Sequence, residues 1–282
     1  MDPFEAARRL HAVLPPTPAV WCEAHDAWLK LECLQVTGAF KVRGAFNAIA
    51  QRHDRPVVAA SAGNHARGVA WSARRIGIEA TVVVPETAPR TKIDGCRALG
   101  ARVITHGESF DEALEEAKRL AVTHGWRFIH AFDDPDVIAG QGTVGVELRE
   151  LRPDVVVVPV GGGGLVAGIS LALDCRVVGV LVEGMTPRTL ADGLRVRRQG
   201  DLALRVMRER GVERMTVTEE EVRREIVRLA ACDHVIAEGA GATAVAALAR
   251  VEGRRRVAIV SGGNIDATRL GSCLQHEALL ER

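Results

Sequence analysis

The chain has 282 residues, of which 47% are hydrophobic and 26% charged. That is enough apolar mass for one large domain or two small ones, and it excludes disorder as the main state. Lys plus Arg is 37 and Asp plus Glu 36, a formal net charge of +1, which leaves no electrostatic footprint for nucleic acid or an anionic membrane.

Short Val- and Ile-rich runs predict strands at Val57–Ala60, Ala80–Val84, Arg102–Thr105, Arg127–His130, Val155–Val160, Val177–Val182 and Arg256–Val260. Several are apolar throughout, as expected of strands buried on both faces. Between and around them, helical spacing of apolar residues predicts helices at Lys41–Gln51, Asn64–Ile76, Arg90–Leu99, Phe110–Thr123, Val137–Leu151, Gly164–Leu173, Glu219–Cys232 and Gly241–Arg250. Alternating β and α elements imply an α/β fold, with parallel sheets flanked by helices. The six cysteines are scattered, with no C-x-x-C pair, so free thiols in a reducing compartment are expected. The first fifteen residues lack a continuous apolar run, and no run approaches the ~18 residues of a membrane span. A soluble, cytoplasmic protein is the expectation.

Ligands in such folds bind beyond the carboxyl ends of strands. Val155–Val160 runs into Gly161-Gly-Gly-Gly164 and then an apolar helix beginning with Leu165. Backbone amides freed of side chains, with a helix N-terminus behind them, make a cup for a phosphate. A tight turn is the alternative, and four successive glycines favour the cup. The pattern is neither G-x-G-x-x-G nor a P-loop. Ser61-Ala62-Gly63-Asn64-His65 follows Val57–Ala60 and suits a second anion, unless Ser61 or Asn64 merely caps the helix. Ser261-Gly262-Gly263-Asn264 places a hydroxyl after the last strand.

The only lysines are Lys30, Lys41, Lys92 and Lys118. Lys41 opens a helix after a Thr37-Gly38 turn, among apolar neighbours. Desolvation and the helix end should lower its pKa and fit it for Schiff-base chemistry. Lys30 reads as a solvated strand position, and Lys92 and Lys118 as surface charges.

Together these segments resemble the fold-type II pyridoxal-phosphate (PLP) enzymes, in the threonine/serine dehydratase and serine racemase branch. The matching pieces are Thr37-Gly-Ala-Phe-Lys-Val-Arg-Gly44, Ser61-Ala-Gly-Asn-His65, Val84-Pro-Glu-Thr-Ala-Pro89, Val137-Ile-Ala-Gly-Gln-Gly-Thr143, Val158-Pro-Val-Gly-Gly-Gly-Gly-Leu165, Leu190-Ala-Asp-Gly193, Thr216-Val-Thr-Glu-Glu220 and Ser261-Gly-Gly-Asn264. The resemblance implies that Lys41 carries PLP and that Phe40 packs on its ring. It assigns Asn64 to the phenolic oxygen, Gly161 to Gly164 with Leu165 to the phosphate, Gly193 to the ring's edge and Ser261 to the pyridine nitrogen. Ser61, Ala62, Gly63, Asn64 and His65 would receive the substrate carboxylate, and Phe132 would line the pocket.

The implied reaction is β-elimination from L-threonine or L-serine, giving a 2-oxo acid and ammonia. Ala62 stands where serine racemases carry a second acid/base serine, so elimination is expected over racemisation. The alternatives are a serine or aspartate racemase, a hydroxyaspartate-type ammonia-lyase, or a non-catalytic phosphate- or nucleotide-binding α/β protein. Glu183 is a candidate divalent-metal ligand, although the short segment from Gly184 to Leu190 offers no aligned aspartate. Relatives imply a homodimer, with contacts reduced by that shortened segment. A large domain of residues 1–55 and 134–282 and a small one of 56–133 are expected. No regulatory domain, and hence no allosteric control, is expected after Gly271.

Overall fold

The computed structural model describes residues 1–186 and 188–280, so Pro187, within the short segment after Glu183, lies outside it. In chain order the elements are α1 (Pro3–Leu10), β1 (Ala19–Cys22), β2 (Ala27–Leu31), α2 (Lys41–Gln51), β3 (Val57–Ala60), α3 (Asn64–Ile76), β4 (Ala80–Val84), α4 (Arg90–Ala98) and β5 (Arg102–Thr105). Then come α5 (Phe110–His124), β6 (Arg127–Phe128), α6 (Pro135–Leu148), β7 (Val155–Pro159), α7 (Gly164–Ala172) and β8 (Arg176–Val182). The chain closes with α8 (Asp201–Glu209), β9 (Glu213–Val217), α9 (Glu219–Ala231), α10 (Gly239–Ala246), β10 (Arg256–Val260) and α11 (Ala267–Leu280).

The strands form two sheets. One has six strands in the order β1-β2-β10-β7-β8-β9, and the other four in the order β5-β4-β3-β6. Only β1 runs antiparallel, against β2. The all-apolar runs are where they should be, since every residue of β3, β4 and β7 is buried. Two apolar clusters cover the faces of the larger sheet, one with α9 and α10 and the other with α6, α7 and α8. The smaller sheet packs one face against α5. Its other face takes Ala45, Ala48 and Ile49 from α2, residues of α3, and Val137 from α6. The helix that begins at Lys41 is therefore built into the core of the smaller sheet.

Local chemistry explains several helix starts. Ser109 and Glu112 form a capping box on α5, and Thr218 and Glu221 form another on α9, each satisfying two amides that the helix leaves without partners. Asp134 caps α6 ahead of Pro135. Helices α2, α3 and α7, which begin at the segments read above as ligand-binding, have no side-chain cap, and neither do α4, α8 and α10.

Lys30 does not sit in solvent. It is 2% exposed, and its ammonium lies 2.5 Å from Glu147 and 2.6 Å from the carbonyl of Thr17. The alternation around it reports the two faces of β2, both covered. Arg43, wholly buried, joins Glu147 to Glu32 in the same network.

Candidate active site

The functional segments meet because adjacent parallel strands end side by side. β10 and β7 are neighbours, so Ser261 and Gly161 follow next to one another. The Thr37–Phe40 turn is tied to the end of β10 by two backbone bonds that make one antiparallel bridge. The Phe40 amide donates to the Ser261 carbonyl at 3.1 Å and the Gly263 amide to the Gly38 carbonyl at 2.9 Å, while Ala39 bridges Gly262. Gly38 turns the chain at φ +75°, in the region open to glycine. Lys41 is thereby fixed at the first turn of α2.

The Lys41 amine donates to the Ala131 carbonyl at 2.9 Å and lies 5.2 Å from the centre of the Phe40 ring. Desolvation lowers its pKa to about 8, against a smaller opposing pull from Glu238. The other lysines all hold carboxylates: Lys30 holds Glu147, Lys118 holds Glu115, and Lys92 reaches Asp192 at 2.8 Å. Lys92 is thus no free surface charge, since it ties α4 to the turn that carries Gly193. Lys41 bonds a neutral carbonyl and keeps an amine whose pKa is lowered to about 8.

Protein atoms crowd the four glycines of this loop and leave no room for side chains there. A Cβ on Gly162 would fall 2.2 Å from Cγ of Phe132, and one on Gly164 would fall 2.8 Å from the Phe132 carbonyl. Gly163 precedes α7 at φ +93°. The Gly164 and Leu165 amides are first-turn amides that α7 cannot satisfy. Phe132 therefore packs on the glycine loop, edge-on to His130.

Ser61–His65 follows β3. Ser61 Oγ accepts from the Gly63 amide at 3.2 Å, and neither Ser61 nor Asn64 caps α3. The first amides of α3 are left for another acceptor. Ala62 presents a methyl group, packed at the edge of the smaller sheet's core. The His65 ring cannot serve as a carboxylate donor. Its Nε2 faces the Ile129 carbonyl at 3.0 Å, which requires the proton there, and burial, then the Lys41 charge, lowers its pKa to about 3. Nδ1 is a buried acceptor with no hydrogen-bond partner, so only the backbone of His65 remains for an anion.

Ser261 is 2% exposed, with its hydroxyl 3.1 Å from the Ala240 carbonyl. Gly193 sits in a short turn at Asp192–Leu194, where a Cβ would come 3.2 Å from Ala240 Cβ. Glu183, just beyond β8, accepts from the Thr216 hydroxyl at 2.6 Å. Among the described residues, the cluster of three or more metal-type side chains lies elsewhere, at Cys22, His25 and Asp233.

Glu238 was not anticipated. It is 8% exposed and accepts from Asn64 Nδ2 at 2.6 Å. Asn64 Oδ1 in turn accepts from Asn264 Nδ2 at 2.8 Å, and the same nitrogen donates to the Thr37 carbonyl at 2.9 Å. Burial, then the nearby Asp192 charge, raises the Glu238 carboxyl to about 7. This chain of bonds fixes the Asn64 amide and leaves its second Nδ2 proton free.

These features fit PLP. Lys41 offers an amine for its aldehyde, the Gly161–Gly164 loop leads into first-turn amides of α7 that suit a phosphate, and Phe40, Asn64 and Ser261 offer an aromatic face and two polar groups. The comparisons with known proteins agree. The family model described as pyridoxal-phosphate dependent enzyme matches residues 12–263. The chain is 46% identical over 271 residues to an L-threonine ammonia-lyase of Thermotoga maritima, covering 86% of this chain and 68% of the relative. Its fold matches threonine deaminase isoform 2 of Solanum lycopersicum with a TM-score of 0.90 and 32% identity, over 98% of this chain and 88% of the other. It also matches maize serine racemase with a TM-score of 0.89 and 30% identity, over 99% and 98% of the two chains. The chain belongs to the pyridoxal-phosphate-dependent enzymes, and its cofactor is PLP.

Proposed function

We propose that the protein is an ammonia-lyase for L-threonine and L-serine, releasing 2-oxobutyrate or pyruvate with ammonia. The observation that carries this reading is the single basic amine at the site, Lys41, with a pKa near 8, combined with Ala62 in place of a second proton carrier. The relative named L-threonine ammonia-lyase supports the same substrate class.

Bound PLP supplies an electron sink that acidifies the substrate Cα–H and allows a β-substituent to leave. Lys41 would hold the cofactor, and its Nζ, when free, would take the substrate Cα proton. The Ala131 carbonyl orients that amine. The uncapped first turn of α3, with Ser61, receives the substrate carboxylate. Gly161–Gly164 and the Leu165 amide hold the phosphate. Asn64, fixed by Glu238 and Asn264, positions the ring, and Ser261 gives its nitrogen a neutral partner. A neutral hydroxyl there would not hold the nitrogen protonated, as a carboxylate would, and this suits elimination.

The same reading divides the chain into 1–55 with 134–282 and 56–133. Two separate sheets support this division. The Lys92–Asp192 pair, 2.8 Å apart, then spans the two parts beside the site. Closure of the smaller part would exclude water from the reacting atoms.

Incubating the purified holoenzyme with L-threonine and with L-serine tests the function. The expected products are 2-oxo acid and ammonia with little D-amino acid. Rapid formation of the D-enantiomer, with little oxo acid, would favour the racemase reading and remove the role given to Ala62.

A further inference from the structure

On the far side of the larger sheet, away from the strand ends that carry Ser261 and Gly161, four side chains converge. Cys22 ends β1, and His25 lies in the short helical turn Glu23–His25 that leads to β2. Glu225 lies on α9, and Asp233 lies just beyond the end of that helix. The ligand-type atoms of Cys22, His25 and Asp233 all lie within 4.8 Å of one another. The Cys22 thiol is 3.1 Å from Asp233 Oδ1, and His25 Nε2 is 3.0 Å from Glu225 Oε2.

The bonding within this cluster is incomplete. The His25 side chain is 8% exposed, and its Nε2 pairs with Glu225 Oε2. Asp233 Oδ2 is buried and has no hydrogen-bond partner. An unsatisfied buried carboxylate oxygen is costly unless something else binds it. The nearby cations are engaged elsewhere. Arg256 binds the carbonyls of His25 and Asp26 and the Asp26 carboxylate, and Arg228 reaches the Ala24 carbonyl. Two carboxylates, an imidazole and a thiol are thus grouped with no cation between them.

We propose that Cys22, His25 and Asp233 form a binding site for a divalent zinc-like cation that joins the β1–β2 hairpin to the end of α9, with Glu225 holding the His25 ring. One sulfur, one nitrogen and one carboxylate oxygen, completed by a water, make a four-coordinate set suited to Zn²⁺. Ligand atoms bound tetrahedrally at ~2.0–2.3 Å stand about 3.3–3.8 Å apart, so three atoms within 4.8 Å of one another call for only small side-chain shifts. Binding would release the Cys22 thiol proton to solvent and leave a thiolate on the metal. The site shares no residue with the PLP cleft, and its role is to stabilise the sheet's edge.

Titration of the metal-free holoenzyme with Co²⁺, followed by displacement with Zn²⁺, tests the site. The expected result is one equivalent bound per chain, with the visible spectrum of tetrahedral cobalt and a thiolate-to-metal band in the near ultraviolet. Cys22→Ser should abolish that band and weaken Zn²⁺ binding at least about tenfold, and Asp233→Asn should weaken binding by a similar factor. Cys232→Ser, which changes an exposed neighbouring thiol, should leave both readings unchanged. A wild-type protein that gives no tetrahedral cobalt spectrum would overturn the proposal without recourse to any variant. So would a thiolate band that survives Cys22→Ser.

Discussion

Asn64 donates to Glu238 across 174 residues of sequence at 2.6 Å. The bond joins the first residue of α3 to the residue before α10 and holds the amide assigned to the cofactor's phenolic oxygen. Burial raises the Glu238 carboxyl from 4.5 to about 7. A raised folded-state pKa favours the protonated folded form, so this contribution to stability is full below about pH 4.5 and is lost as pH rises through 7. Its size is of the order of 3 kcal/mol. Glu238→Gln should flatten the dependence of the unfolding midpoint between these pH values. A slope unchanged from wild type would mean that Glu238 titrates normally.

Lys41 should take up its cofactor faster as its amine loses a proton. With a pKa lowered from 10.5 to about 8, the rate at which the cofactor-stripped protein regains visible absorbance on adding PLP should climb with pH and level off above 8. Lys41→Ala should abolish the absorbance and lower turnover by about 10²–10⁴-fold or more. A rate that keeps climbing towards pH 10.5 would indicate an amine without the desolvation described here.

The contact between Gly162 and Phe132 predicts a coupled pair. Gly162→Ala would drive its Cβ into the Phe132 ring, costing about 1–3 kcal/mol and loosening the phosphate loop. PLP affinity measured by equilibrium dialysis should fall. Adding Phe132→Ala should restore part of it, because the two changes relieve one clash. Strictly additive losses would contradict the packing.

Glu147 receives both Lys30 and Arg43. Burial alone would raise its pKa, yet the Arg43 and Lys30 charges hold it below the ordinary carboxylate range. Glu147→Ala leaves two buried cations short of a partner and should cost about 3–5 kcal/mol, read from chemical denaturation. A loss near zero would mean that water reaches the network.

Much of this was legible in the sequence because burial and glycine leave local signatures. The interior strands β3, β4 and β10 have the predicted bounds, their apolar runs being unbroken or nearly so, and the edge strand β5 has them as well. The edge strands β1 and β9 were missed. In β9, Glu213-Arg-Met-Thr-Val is half exposed, and an edge needs no apolar run. The glycine loop was visible as four residues in a row. Lys30 and Glu238 were not, for the same reason. Each is a charged residue whose burial depends on a partner more than a hundred residues away, and no local pattern encodes that. The partner of the His65 ring, the Ile129 carbonyl just beyond β6, was equally hidden, since that pairing is set by the sheet order.

Reduction of the holoenzyme with borohydride, followed by peptide mapping, tests the central assignment most directly. The chain has only four lysines, and three of them are held by carboxylates. The account predicts one cofactor label per chain, on Lys41. A label on Lys30, Lys92 or Lys118, or a protein that takes none, would contradict it.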